Sequence, residues 1–148
     1  MKKVIILFFL LVAVAVFGQN NTPPPGLTNK PIEQLTSFLN KPVPEGFSRM
    51  DRESYRQTGE IEKGILLQKG LIVENGSVKA VAFVWQSDDF EKMVTIVGGL
   101  WNLLDQYKLG YPVAEDKIQT MFIYNNRTII LKGIEQAGRT YTFIFSIY

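Results

Sequence analysis

The 148-residue sequence contains no cysteine and no histidine. Without cysteine the chain has no disulfide framework, so its stability must come from a buried core and a hydrogen-bonded sheet. The same two absences exclude the usual zinc sites, the Ser/His and Cys/His nucleophile pairs and a histidine switch near neutral pH. We therefore expect no metal, no cofactor and no lipid anchor attached through a cysteine. Enzymatic activity is left open but is not favoured, because no acid, base or nucleophile arrangement is visible.

Long hydrophobic runs are scarce as well, apart from one at the N-terminus. Lys2 and Lys3 precede an apolar run over residues 4–17, which is too short to span a membrane comfortably. This pattern predicts a signal peptide over residues 1–18, cleaved before Gln19, and a secreted or periplasmic mature protein with no transmembrane segment. The alternative is a retained N-terminal anchor, but no second charged flank follows the run.

The sequence carries almost no excess of charge of one sign. It has 16 basic and 14 acidic residues, and removal of Lys2 and Lys3 with the signal peptide leaves 16 − 2 = 14 basic residues against 14 acidic ones. A neutral mature chain has no general electrostatic attraction to nucleic acid or to anionic lipid. We therefore expect no nucleic-acid partner.

The remaining residues, about 130 in number, suit one domain of common size. Residues 19–29 include three consecutive prolines and predict a flexible tether, followed by a single α+β domain over residues 30–148. Pro31 fits the first turn of a short helix that Asn29 would cap. The charged stretch over residues 47–57 predicts an exposed edge strand.

The longest amphipathic stretch covers residues 88–109 and predicts the central helix. Asp88 with Glu91 fits a capping box, and Gly110 fits a left-handed C-terminal cap before Pro112. At about 1.5 Å per residue such a helix would span roughly 30 Å, enough to cross a small sheet. Its apolar residues recur at steps of three and four: Phe90, Met93, Val94, Val97, Leu100, Trp101, Leu104 and Tyr107.

Two β-hairpins are indicated by two-residue turn signals. Asn75-Gly76 separates the apolar stretches 65–74 and 77–86, and Asn125-Asn126 separates the stretches 118–124 and 127–135. A turn around Gly138 then leads into a final strand. Gly70, inside the first hairpin, predicts a β-bulge.

These elements predict an α+β fold in two layers, with two helices packed on one face of an antiparallel sheet. The halves 30–86 and 87–148 also resemble each other, because Lys69-Gly70-Leu71 matches Lys132-Gly133-Ile134 and a turn glycine follows each. The match predicts a tandem α-β-β-β repeat.

Candidate binding residues follow from alternation along the last strand. If its bulky set forms the core, the opposite side chains lie on an open sheet face: Thr140, Thr142, Ser146 and Tyr148. Gly98 and Gly99 form a second candidate site, because a glycine inside a helix costs about 1 kcal/mol relative to alanine. Their missing side chains favour close packing of the helix on the sheet or, alternatively, a notch for a ligand or a partner's backbone.

Three functional hypotheses remain open. The first is an exported non-enzymatic binding protein, of unknown partner, that uses the open sheet face. The second is a carrier of a small molecule or lipid, with an apolar cavity between the central helix and the sheet. The third is a hydrolase acting outside the cytoplasm, for which no arranged pair of carboxylates is visible. At the level of architecture alone, the chain resembles inhibitor and assembly-factor modules that contact proteins through a sheet.

Overall fold

The computed structural model describes residues 2–4, 22–62 and 64–148, so most of the predicted signal peptide lies outside the described residues. The helices are α1 (Pro31–Thr36) and α2 (Phe90–Leu104). The strands are β1 (Lys2–Val4), β2 (Phe47–Arg49), β3 (Ser54–Glu62), β4 (Ile65–Glu74), β5 (Ser77–Ser87), β6 (Ala114–Glu115), β7 (Gln119–Tyr124), β8 (Arg127–Ala137) and β9 (Thr140–Ile147).

The strands form one antiparallel sheet in the order β2-β3-β4-β5-β9-β8-β7-β6, and β1 pairs with the C-terminal end of β8. Both helices contact the central strands β5 and β9. Their buried residues join one core with the bulky side chains of those strands. The predicted two-layer α+β fold with an antiparallel sheet is therefore confirmed.

The centre of the sheet is the antiparallel pair β5 and β9. Phe83 lies opposite Phe145, Trp85 opposite Phe143 and Val81 opposite Ile147. Hairpins β4-β5 and β8-β9 extend from this pair in opposite directions. The tandem repeat of the two halves stays a prediction.

Helix α2 begins and ends somewhat inside the predicted range. The Asp89 carboxylate caps it by accepting hydrogen bonds from the backbone N–H groups of Glu91 at 3.0 Å and Lys92 at 3.3 Å, so Asp89 and not Asp88 is the cap. After Leu104 the chain tightens into a 3₁₀ turn over Asp105–Tyr107 and then reverses at Lys108, whose φ is +50°. Gly110 therefore does not end the helix.

Residues 22–29, which the composition assigned to a tether, are packed against the domain. Pro24 and Leu27 are buried, and the Pro25 carbonyl oxygen accepts a hydrogen bond of 2.9 Å from Trp85 Nε1. The residue before α1 is Lys30, whose backbone N–H donates to Thr28 Oγ1 at 3.2 Å. Asn29 is therefore not the helix cap.

The charged stretch after α1 forms two strands and not one. β2 and β3 are joined by a turn in which the Asp51 carboxylate accepts hydrogen bonds of 2.9 Å from the N–H groups of Glu53 and Ser54. The Ser54 side chain, followed by the backbone N–H of Glu53, lowers the pKa of the Asp51 carboxyl through hydrogen bonds to it. The predicted bulge at Gly70 is also wrong, because Gly70 pairs regularly with Ala82 and the β4-β5 register shifts two residues later.

A hydrogen-bonded junction joins the end of α2 to α1. The Tyr107 hydroxyl donates to the Glu33 carboxylate and accepts from the Ile32 backbone N–H at 3.3 Å. Burial, followed by the hydrogen bond to Glu33, raises the pKa of Tyr107 well above its usual range. The junction therefore requires a protonated phenol.

We expect Tyr107→Phe to lower the free energy of unfolding by about 1 to 2 kcal/mol at neutral pH, because the Ile32 N–H loses its acceptor. A folded-state pKa above the unfolded value means that the stabilisation is complete below about pH 10 and declines as the pH rises further. Urea unfolding at pH 7 and pH 10.5 measures both effects. Tyr111→Phe is the control, since Tyr111 is 96% exposed; equal losses in the two variants would contradict the prediction.

Candidate functional site

No described helix or strand covers the face of the sheet opposite the helices, here called the open face, and its centre is apolar. Register places the following side chains on that face: Leu66, Gln68 and Ile72 of β4, Ala80, Ala82, Val84 and Gln86 of β5, Thr142, Ile144 and Ser146 of β9, Ile130 and Lys132 of β8, and Met121 and Ile123 of β7. Among the described residues, no helix lies over them. The sheet therefore presents mainly aliphatic and small side chains across five strands, with Gln68, Gln86 and Lys132 among them.

The exposed fraction of the side chains differs from residue to residue across the open face. Ile72 and Ile123 are about half exposed, at 47% and 50%, near opposite sides of the face. Ile130, in contrast, is only 4% exposed and lies outside the main core. Its register partners, Met121 on β7 and Ser146 on β9, flank it on the same face. The open face thus has an apolar floor that the chain's own side chains already cover in part.

The predicted binding residues of the last strand lie on this open face or at its rim. Thr140 and Tyr148 are exposed, and Thr142 and Ser146 are half-buried between neighbouring strands. Thr142 Oγ1 accepts a hydrogen bond of 3.3 Å from Gln86 Nε2 on β5. Tyr148 continues the pairing of β9 with β8, because its backbone exchanges hydrogen bonds with Thr128. The residues share a surface, and whether they bind a partner stays a prediction.

The glycine pair in α2 lies elsewhere, against the N-terminal segment of the chain. A Cβ atom on Gly99 would lie 2.9 Å from the Thr22 carbonyl oxygen and 3.5 Å from Pro24 Cδ. Gly99 is buried, and Gly98 beside it is half-buried. The missing side chain at Gly99 therefore admits the chain's own backbone. The sequence suggested close packing of the helix on the sheet, or a ligand or a partner's backbone in the notch, and did not point to the chain's own N-terminal segment.

The aromatic residues at the centre form a filled core. Phe83, Trp85, Phe143 and Phe145 are completely buried. The Trp85 and Phe143 rings stack with centroids 5.9 Å apart. The sequence alone could not distinguish a filled core from an apolar cavity lined by these aromatic residues. In the structure their side chains fill this space.

A pocket of about 400 Å³ lies farther along, between the C-terminal end of α2 and strand β7. Trp101, Leu104, Leu109 and Phe122 form its apolar walls, and Asp105 and Lys108 lie beside them. The Trp101 and Phe122 rings meet edge to face, with centroids 5.9 Å apart. This pocket is on the helix side of the sheet and is therefore separate from the open face.

Two acidic side chains, those of Asp89 and Asp116, hold the local backbone through hydrogen bonds. Asp89 caps α2, and the Asp116 carboxylate accepts hydrogen bonds from the N–H groups of Ile118 at 2.7 Å and Gln119 at 2.9 Å. Those bonds lower the pKa of Asp116. Across the described ranges no cluster of three or more potential metal ligands is present.

Within the same ranges no helix has the length and apolar character needed to cross a bilayer. Comparison with known proteins finds no matching family model, no matching curated protein and no matching solved structure.

Proposed function

We propose that the protein is an exported, non-enzymatic binding protein that holds a protein partner on the open face of its sheet. The observation that carries this proposal is the continuous apolar centre of that face, from Ile72 on β4 to Ile123 on β7, with no second layer of the described chain above it. Soluble monomers rarely expose a contiguous apolar patch of this kind unless something binds there.

The size of the open face suits a protein. Neighbouring strands lie about 4.8 Å apart and each residue extends about 3.4 Å, so five strands of eight residues cover roughly 500 Å² in projection. Each partner of a standard interface buries roughly 800 Å², so this face can supply a large part of one. A small ligand would cover only a fraction of this surface.

The charges of the open face indicate what kind of protein surface would fit. Arg56 on β3 lies at the margin of the open face, and Glu135 on β8 lies toward its end. Lys132 is the charged residue nearest the middle of the face. Thr142, Gln86 and Ser146 add polar groups between the aliphatic ones. A partner with a flat, apolar and weakly charged surface matches this pattern, since interface centres are depleted in charge.

We expect Val84→Lys to abolish partner binding, because Val84 lies centrally on the face between Gln68 and Ile144 and a lysine there leaves an unpaired charge in the interface. Thr95→Lys is the matched control, because Thr95 is exposed on α2 and adds the same charge to the helix side. Replacing Thr142 and Ser146 by alanine should weaken binding by a smaller factor.

The measurement is native mass spectrometry of the mature protein isolated from its own host, followed by affinity titration with the identified partner. Loss of the complex in Val84→Lys with retention in Thr95→Lys supports the proposal. A bare monomer, or a complex that tolerates Val84→Lys, would contradict it. A symmetric homodimer lost in Val84→Lys would identify the partner as a second copy of the chain.

A further inference from the structure

Side-chain size changes from one side of the open face to the other. One row of register partners crosses its five strands: Gly70 on β4, Ala82 on β5, Ser146 on β9, Ile130 on β8 and Met121 on β7. A Cβ atom on Gly70 would have the Ala82 carbonyl oxygen, at 4.0 Å, as its nearest contact beyond its chain neighbours, so the space above Gly70 is open. The β4-β5 side of this row is therefore shallow, and larger side chains fill the β8-β7 side.

This difference in size is self-complementary under a twofold axis that runs along β9. In a twofold dimer each copy uses the same patch, so every contact between two residues occurs twice, once in each direction. Sheets that pack face to face lie about 10 Å apart with their strands nearly aligned. An axis along β9 places β4 of one copy over β7 of the other and β5 over β8. Met121 then lies over Gly70 of the second copy, and Ile130 lies over Ala82.

A twofold axis that runs across the strands, along the same row, gives a poorer fit. It would place each strand over its own copy, with Met121 over Met121 and Gly70 over Gly70. The two methionines would compete for one space, and the two glycines would leave a gap. Interface centres pack as densely as protein interiors, so a mismatch of this kind is unfavourable. The row therefore favours the axis along β9.

The charged residue nearest the middle of the open face is compatible with the axis along β9. Lys132 would lie over Val84 of the second copy, and the register partner of Val84 on β4 is Gln68. The Gln68 amide oxygen is an acceptor that a lysine ammonium can use. The Cα atoms of the two Lys132 residues would lie on opposite sides of the axis, roughly 14 Å apart, given the spacings of strands and sheets. The two lysines therefore do not meet across the interface.

The area of the open face is sufficient for a dimer of modest affinity. Its projection of roughly 500 Å² in each copy gives about 1,000 Å² for the two copies together. That total is about the lower limit for a specific interface, and interfaces of this size belong to complexes that dissociate readily. A dimer built on this face is therefore expected to dissociate on dilution.

We propose that the open face binds a second copy of this chain through a twofold axis along β9, so that the shallow side of each face packs against the filled side of the other. This pairing rests on the proposed function, because it names the occupant of the same open face. That face requires a flat, apolar and weakly charged partner surface, and it has those properties itself. The two sheets then form a β-sandwich with an apolar middle layer.

An exchange of side-chain size between β4 and β7 tests this dimer by sedimentation velocity of the mature protein, at concentrations up to about 100 µM. Gly70→Leu should weaken dimerisation by about tenfold or more, because the leucine overlaps Met121 of the second copy. Met121→Ala should weaken it by about three- to tenfold, because it leaves a gap. The variant that carries both changes should return to within about threefold of the wild-type dissociation constant.

The recovery in the double variant can come only from a contact between copies. Within one copy Gly70 and Met121 lie four strand spacings apart, roughly 19 Å, which is too far for their side chains to touch. Thr95→Leu is the matched control, because Thr95 is exposed on α2 and the change adds the same side chain to the helix side. It should leave the dissociation constant unchanged.

Different results would overturn the dimer and the proposed function. A monomer at every concentration would overturn the dimer alone if native mass spectrometry then finds a different protein that Val84→Lys releases. A monomer with no such complex would overturn both. A dimer that survives Gly70→Leu and Val84→Lys would overturn the proposed dimer, because the copies would then meet through another surface. A loss in Gly70→Leu that Met121→Ala does not repair would overturn the axis along β9.

Discussion

Replacing Trp85 by alanine is expected to lower the free energy of unfolding by about 3 to 5 kcal/mol, the range for removal of a buried aromatic side chain. Trp85 is completely buried between Phe83 and Phe143, and its ring stacks on the latter. Its N–H also holds the Pro25 carbonyl of the N-terminal segment. The substitution therefore has two effects. It leaves a cavity in the core, and it removes the hydrogen bond that holds the N-terminal segment.

Two milder variants separate these effects. Trp85→Phe keeps most of the ring but leaves the Pro25 oxygen without its donor, so we expect a loss of about 1 to 3 kcal/mol. Trp101→Phe makes the same chemical change where the N–H has no partner, and should cost less than about 1 kcal/mol. Urea unfolding of the three variants gives the comparison. Equal losses in Trp85→Phe and Trp101→Phe would show that the bond to Pro25 contributes nothing.

Gly99→Val is expected to destabilise the protein by about 1 to 3 kcal/mol through overpacking. The added Cβ would lie 2.9 Å from the Thr22 carbonyl oxygen, a backbone atom that can move only if its segment moves. We therefore expect residues 22–27 to leave the surface of α2 and to expose Pro24 and Leu27. Valine's higher helix propensity than that of glycine offsets only a small part of this cost.

Limited proteolysis and the Trp85 indole N–H signal report on this release directly. Gly99→Val should accelerate cleavage around residues 22–29 and shift the Trp85 signal, because the bond to Pro25 is lost. Gly70→Ala is the control: its Cβ would lie 4.0 Å from the Ala82 carbonyl oxygen, an ordinary contact. Unchanged proteolysis and stability in Gly99→Val would mean that the segment does not need the notch.

The contact of Gly99 with Thr22 and Pro24 changes the functional interpretation of Gly98 and Gly99. A carrier hypothesis centred on Gly98 and Gly99 expects substitutions to block ligand uptake while folding survives. The Thr22 and Pro24 contacts of Gly99 lead us to expect a loss of stability instead. The space open to a ligand is farther along α2, beside Trp101 and Leu109.

Local sequence patterns were sufficient for the elements whose causes are themselves local. Asn75-Gly76 and Asn125-Asn126 form the two hairpin turns with positive φ, as their residue types require. The spacing of apolar residues in α2 identified its buried face, although Ile96 was missed. Alternation along β9 separated its bulky side chains from the smaller ones, and the structure assigns the bulky set to the core. Each of these features depends on residues only a few positions apart.

Features that depend on distant residues could not be found this way. The charged stretch over residues 47–57 forms two strands, because Asp51 closes a turn between them. The sequence did not reveal this, because polar edge strands lack the alternation of apolar residues that marks a buried strand. Prolines 23–25 suggested a tether, yet their segment packs because α2 has a glycine at the contact and Trp85 has a free N–H to donate. Neither partner lies near that segment in sequence.

By itself, the sequence determined the class of fold, the two hairpins, the central helix and the exclusion of histidine and cysteine chemistry. These follow from composition and from spacing within single elements. Only the tertiary structure decided that the aromatic core is filled, that Gly99 admits the chain's own backbone and that a pocket opens beside Trp101. The physical reason is that cavities and backbone contacts arise from how elements distant in sequence pack, and the pattern within one element does not encode that packing.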